Sequence, residues 1–109
     1  NVTDRHYLSF QEKCIPKARE RYMGIIGMKV MCGGGVLEMM RVSPAEAIRY
    51  SLTQPVDAVV VGVDSLEQLR ENIEAFRHFA PMTDEEQAEM LERTWEMAPA
   101  CNSKFKRTA

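Results

Sequence analysis

The spacing of apolar positions changes along the chain, and the changes mark its elements. Tyr7, Phe10, Cys14, Ala18 and Tyr22 recur at helical spacing and make one apolar face, with Lys13, Lys17, Arg19, Glu20 and Arg21 toward water. Thr3 or Asp4 suits the cap of this helix, and Gly24 fits just past its end. Pro16 removes a backbone donor within the pattern, so the reading is a kinked helix or two abutting ones. The helical period then stops. Gly24–Met31, GIIGMKVM, is a short apolar run with β-branched residues and reads as a strand. Val36–Arg41 reads as a short helical turn. Ser43-Pro44-Ala45-Glu46 is a stronger start signal: a capping serine, a proline at the first helical position and a glutamate completing a capping box. That helix runs to about Thr53 with Ala47, Ile48 and Leu52 inward, and Gln54-Pro55 ends it.

Asp57–Val63 contains AVVVGV, apolar at successive positions, as in a parallel strand covered on both faces by helices. Ser65 and Gln68 offer a second capping box, followed by a stripe of Leu66, Leu69, Ile73 and Phe76. Thr83 and Glu86 offer a third, for a helix to about Ala98 with Ala88, Leu91, Trp95 and Ala98 inward. Asp84, Glu85 and Glu86 suit its positive start, and Pro99 stops it. Helix, strand, helix, strand, helix, helix implies parallel pairing with crossover connections. Two parallel strands leave both outer edges unpaired. The chain is therefore expected to be a piece of a larger α/β domain, or to complete its sheet with another chain.

Within that order, two places suit a ligand. Asp57–Asn72, DAVVVGVDSLEQLREN, puts the positive end of a helix beside the carboxyl end of a strand, a common place to hold a phosphate. Cys32-Gly33-Gly34-Gly35 after the first strand gives backbone freedom for positive φ and close approach to a ligand, though taken alone it reads first as a flexible loop. It is neither a Walker A loop nor GxGxxG. Lys29 in an apolar run needs its ammonium to reach water or an anion.

Composition narrows the partners. The 109 residues are 45% hydrophobic and 28% charged, which is ordinary for one globular domain. A net charge of −2 argues against a nucleic-acid partner, and Lys104, Lys106 and Arg107 read as a solvated basic tail. No apolar run is long enough to span a bilayer. Cys14, Cys32 and Cys101 form no CxxC and no Cys/His set, so they read as reduced structural thiols with no metal role. With no signal-peptide pattern after Asn1, the expected location is cytoplasmic, with a segment expected upstream.

GIIGMKVMCGGGVL, SPAEAIRYSLTQPVDAVVVGVDSLEQLREN and PMTDEEQAEMLERT together resemble the C-terminal part of the aldo/keto reductases, in particular the bacterial group of aldo/keto reductase-like oxidoreductases. The resemblance covers nearly the whole chain. It implies the C-terminal part of a (β/α)8 TIM barrel: two parallel strands with flanking helices plus a C-terminal helix. Residues 1–23 would be the helix before the strand, 24–80 two strand–helix units, and 81–109 the C-terminal helix and basic tail.

The resemblance also implies a function: binding NAD(P)H for reduction of an aldehyde or ketone. The family's catalytic tyrosine, lysine, aspartate and histidine come from the other half of the barrel, so no catalytic residue is assigned here. His6, Tyr7, Tyr22, Tyr50 and His78 read as structural. The implied cofactor contacts begin with Met28, where the family usually stacks an aromatic residue on the nicotinamide, and continue through Lys29, Met31 and Gly33. Lys29 would pair with a phosphate, or else pack its stem inside the barrel and meet a carboxylate. Gly62, Val63 and Gln68 match the positions around a 2′-phosphate; none is basic, so a preference for NADPH is not implied. Glu71 and Asn72 match a pair that contacts adenine. Two readings of other classes stand beside this one: a non-catalytic α/β module that oligomerises through its strand edges, and a small phosphate-binding module.

Overall fold

The computed structural model describes residues 1–39, 42–96, 98–102 and 106. Its centre is α4 (Pro44–Thr53), which starts as its sequence signals require. The Ser43 hydroxyl accepts from the Glu46 N–H at 3.2 Å, and the Glu46 carboxylate accepts from the Ser43 N–H at 2.8 Å. Ala47, Ile48 and Tyr50 are fully buried and form the core with Val30, Cys32, Met82 and Met90. Ser51 is also buried; its hydroxyl donates to the Ala47 carbonyl, which satisfies it inside the helix.

β1 (Ile26–Gly27) and β2 (Ala58–Val59) pair in parallel, Ile26 opposite Ala58 and Gly27 opposite Val59. The expected α/β order with a parallel pair is present, but the strands are much shorter than the apolar runs. After Gly27 the chain turns out of the ladder, with Lys29 at φ 58°. Among the described residues no further strand pairs with either outer edge, so ladder bonds form along one side only. The expected burial of AVVVGV on both faces is not found. Val60 and Val63 are exposed and Val59 and Val61 half-buried, because no layer covers that side of the sheet. The register is held from outside the ladder: Asp57 accepts from the Ile25 N–H at 2.7 Å and receives two bonds from the Arg19 guanidinium. Arg19 was expected to face water alone; it instead ties its helix to the start of β2.

Pro16 divides the first helical pattern, as anticipated, into α1 (Phe10–Lys13) and α2 (Ile15–Glu20). The cap is Ser9, not Thr3 or Asp4; the Ser9 hydroxyl accepts from the Glu12 N–H, while Asp4 lies in a 3-10 turn, Asp4–His6. Asp4 reaches forward to accept from the Phe10 and Gln11 N–H groups and the Ser9 hydroxyl. Lys106 completes its surroundings at 2.7 Å with both side chains buried, so this member of the basic tail is not solvated. Burial pushes the Asp4 carboxyl up, but Lys106 and the three hydrogen bonds outweigh it and hold the group below its ordinary range. α2 closes in a left-handed turn at Tyr22, φ 55°, with the Met23 N–H on the Ala18 carbonyl; Gly24, expected in that role, lies beyond it.

α3 (Gly35–Met39) supplies the expected helical turn; Arg41, Lys104 and Arg107 lie outside the described residues. α5 (Leu66–Arg77) is capped by Ser65, but the Gln68 side chain accepts from the Asp64 N–H, not that of Ser65, so the box is not reciprocal. α6 (Asp84–Thr94) has its complete Thr83–Glu86 box. Its buried residues are Met90 and Thr94; Ala88 and Trp95, expected inward, are exposed. Pro99 does not end this helix. It lies in the first turn of α7 (Ala98–Asn102), where a missing N–H leaves no bond unmade. Arg49 of α4 joins α6 through both oxygens of Glu86 at 2.8 Å. Among the described residues no helix is long and apolar enough to cross a membrane.

Candidate functional site

The chain leaves both strands toward one cavity of about 600 Å³. One wall is the segment after β1, with Met28, Lys29, Met31 and Gly33. A second is the segment after β2, with Gly62 and Val63. The third is the first half of α5, with Gln68, Glu71 and Asn72. All nine residues expected from the sequence to contact a cofactor therefore line a single cavity at the carboxyl ends of the two strands.

The first wall has an unusual backbone. Lys29 and Cys32 have φ of 58° and 52°, and Gly33 and Gly34 have φ of 66° and 91°. A side chain at Gly33, Gly34 or Gly62 would meet no atom within 4 Å. The glycines at 33 and 34 are thus required by the turn, not by lack of room. The side of the cavity they form is open.

The third wall carries the polar chemistry. Asn72 is the buried residue of α5, 7% exposed. Among the described residues its amide makes no hydrogen bond, yet no buried side-chain nitrogen or oxygen is left sealed without a partner. The amide is therefore open to the cavity that Asn72 lines. Its donor and acceptor are thus available to a ligand with a complementary polar edge. The charges are mixed: Lys29 against Asp64 and Glu71. Among the described residues no group of His, Cys, Asp and Glu is disposed to hold a metal ion. Among the described residues the cavity's titratable side chains are Lys29, Asp64 and Glu71, with no tyrosine or histidine.

Of the tyrosines and histidines, Tyr50, His6 and His78 make side-chain bonds within the fold. Tyr50 is buried and donates to Gln11, and burial pushes its hydroxyl up to about 12. His6 stacks edge-on against Trp95 at 4.9 Å and bonds the Thr94 hydroxyl; burial, then Lys106, lower its pKa. His78 closes α5 on the Glu74 carbonyl, and Tyr7 and Tyr22 are exposed.

Three features were not visible in the sequence. Cys32 and Cys101, read as separate reduced thiols, meet in the core as a disulfide pair with Cα atoms 6.3 Å apart. Their 69-residue separation carries no spacing signal; only the fold brings α7 against the glycine loop. Asp4 and Lys106 pair for the same reason. A second cavity, about 500 Å³, lies between β1 and the α1–α2 pair, with Phe10, Cys14 and Ala18 in its wall. The helical spacing of these residues did mark one face, but that face looks into an open space instead of a core.

No protein-family model, curated protein or solved structure matches the chain.

Proposed function

We propose that this chain is the C-terminal, cofactor-binding portion of an NAD(P)H-dependent oxidoreductase of the aldo/keto reductase kind. In this reading the strand–helix units are the last two of a (β/α)8 barrel, and the complete protein reduces a small aldehyde or ketone. The observation that carries the reading is the convergence of the nine residues on one cavity. They come from three separate segments, and the cavity faces the carboxyl ends of parallel strands, where α/β proteins hold their ligands. Asn72 and Glu71 would meet the adenine edge, Met28 the nicotinamide, and Lys29 a phosphate. No basic side chain stands at Gly62, Val63 or Gln68 to hold a 2′-phosphate, so a preference for NADPH is not part of the reading. The chain alone, without the tyrosine, lysine, aspartate and histidine that the resemblance places in the other half of the barrel, would not turn over a carbonyl substrate.

Titration with NADH, followed by its fluorescence, tests the reading. The chain should bind, and Glu71→Ala with Asn72→Ala should weaken binding roughly tenfold, the scale of one or two lost hydrogen bonds. Unchanged affinity in the double variant would sink the assignment of these contacts. A second reading, an α/β module that self-associates through its strand edges, is favoured by the exposure of Ile26, Met28, Val60 and Val63. It requires a dimer or larger species at micromolar concentration in sedimentation; a monomer throughout removes it.

A further inference from the structure

We infer that Cys32 and Cys101 form a redox clasp on the glycine wall of the cavity, closed by exchange with a small-molecule disulfide and opened by a small thiol. The consequence for binding rests on the nucleotide reading above; the clasp itself does not.

Cys32 stands between two lining residues, Met31 and Gly33, in the left-handed turn of that wall. Such a conformation is uncommon and strained for a non-glycine residue. The hydrogen bonds of the turn are local, Cys32 N–H to the Lys29 carbonyl and Gly34 N–H to the Met31 carbonyl. Gly33 and Gly34 have no side chains to pack. Cys101 supplies a tie from outside. It sits on α7, which is itself anchored where the Asn102 amide donates to the Thr3 carbonyl at 2.7 Å. Both cysteines are buried, at 0% and 1% exposure, while Cys14 is exposed and apart from them.

The exchange balances. The thiolate of one cysteine attacks the small disulfide, forms a mixed disulfide and releases one small thiolate. The second cysteine then attacks the protein sulfur of that mixed disulfide and releases the other. The protein loses two electrons, and its two thiol protons end on the two released thiols. Because both sulfurs are buried, reagent reaches them only through a local opening of the structure around them. With the bond closed, the turn is held in the shape that lines the cavity. With it open, the turn gains freedom that a ligand must remove on binding.

The test uses the Cys14→Ser chain, to keep thiol counting unambiguous and prevent cross-linking through Cys14. After incubation with oxidised glutathione, denaturation and alkylation, the monomer should take up no label and carry no added glutathione mass; after dithiothreitol it should take up two labels. Amides of residues 31–35 should exchange hydrogen more slowly in the oxidised protein, and NADH should bind roughly three- to tenfold more tightly. Two labels after oxidation, or equal amide exchange in both states, overturns the clasp. A closed bond and a protected wall with equal NADH affinity overturns its control of the site. A closed bond and a protected wall with no NADH binding in either state overturns the nucleotide reading and leaves the clasp standing.

Discussion

α4 and α5 begin in nearly the same way and end up in opposite surroundings. Each follows a serine that caps the third N–H of the helix, and each carries an apolar stripe. α4 is enclosed: Ala47, Ile48 and Tyr50 are out of contact with water. α5 has its stripe turned outward, with Leu66 72% exposed and Leu69, Ile73 and Phe76 partly so, while the polar Asn72 is buried. An apolar stripe states which face of a helix gains from burial; it does not provide the surface that buries it. α4 has α5, β2 and the N-terminal segments around it, whereas the outer side of α5 and the exposed faces of β1 and β2 have no covering layer among the described residues. The burial of α5 is thus inverted: its amide at Asn72 faces the cavity while its leucines face outward.

This contrast can be broken by experiment. The largest effect is expected at α4, where Ile48→Ala should cost about 2–5 kcal/mol in denaturant unfolding, because the fully enclosed site cannot collapse around the lost atoms. A loss below about 0.5 kcal/mol, the scale of a surface substitution, would mean that α4 is not the core.

Next comes alkaline pH. The Tyr50 hydroxyl is raised from 10.0 to about 12, so the folded state keeps a proton that the unfolded state gives up. The corresponding stability is fully present below pH 10 and is lost as pH rises toward 12, in total about 2–3 kcal/mol at 1.36 kcal/mol per unit. Tyr50→Phe should flatten that part of the pH–stability curve; an unchanged curve would show that Tyr50 is not enclosed.

The smallest effect is expected on α5. Leu66→Gln should change stability by no more than about 0.5 kcal/mol, and should raise solubility. A loss comparable with that of Ile48→Ala would show that the stripe is covered in solution, by a second copy or by further protein, and would remove the contrast.

The boundaries of the helices were legible because they depend on bonds between near neighbours. Ser43 with Glu46, and Thr83 with Glu86, form their reciprocal caps as the sequence predicts. Pro16 divided a helical pattern, and Pro55 followed the end of α4. Where a local rule had competitors it misled. Ser9 displaced Thr3 and Asp4 as a cap because Asp4 was occupied with Lys106 and the next helix start, and Pro99 opened a helix instead of only ending one. The nine candidate residues were named from the sequence only as what a family resemblance implies. That they share one cavity depends on how the segments after β1 and β2 fall against α5.

The sequence by itself determined where the helices capped by Ser43, Ser65 and Thr83 start, the parallel order of the two short strands, and which side chains are apolar. These follow from hydrogen bonds and backbone sterics acting over a few residues. Only the tertiary structure decided which apolar faces are enclosed, that Asp4 meets Lys106 across the chain, that Cys32 meets Cys101, and that Asn72 turns inward. Each of these depends on which distant segments come to lie together, and a residue's own neighbours in sequence carry no information about that.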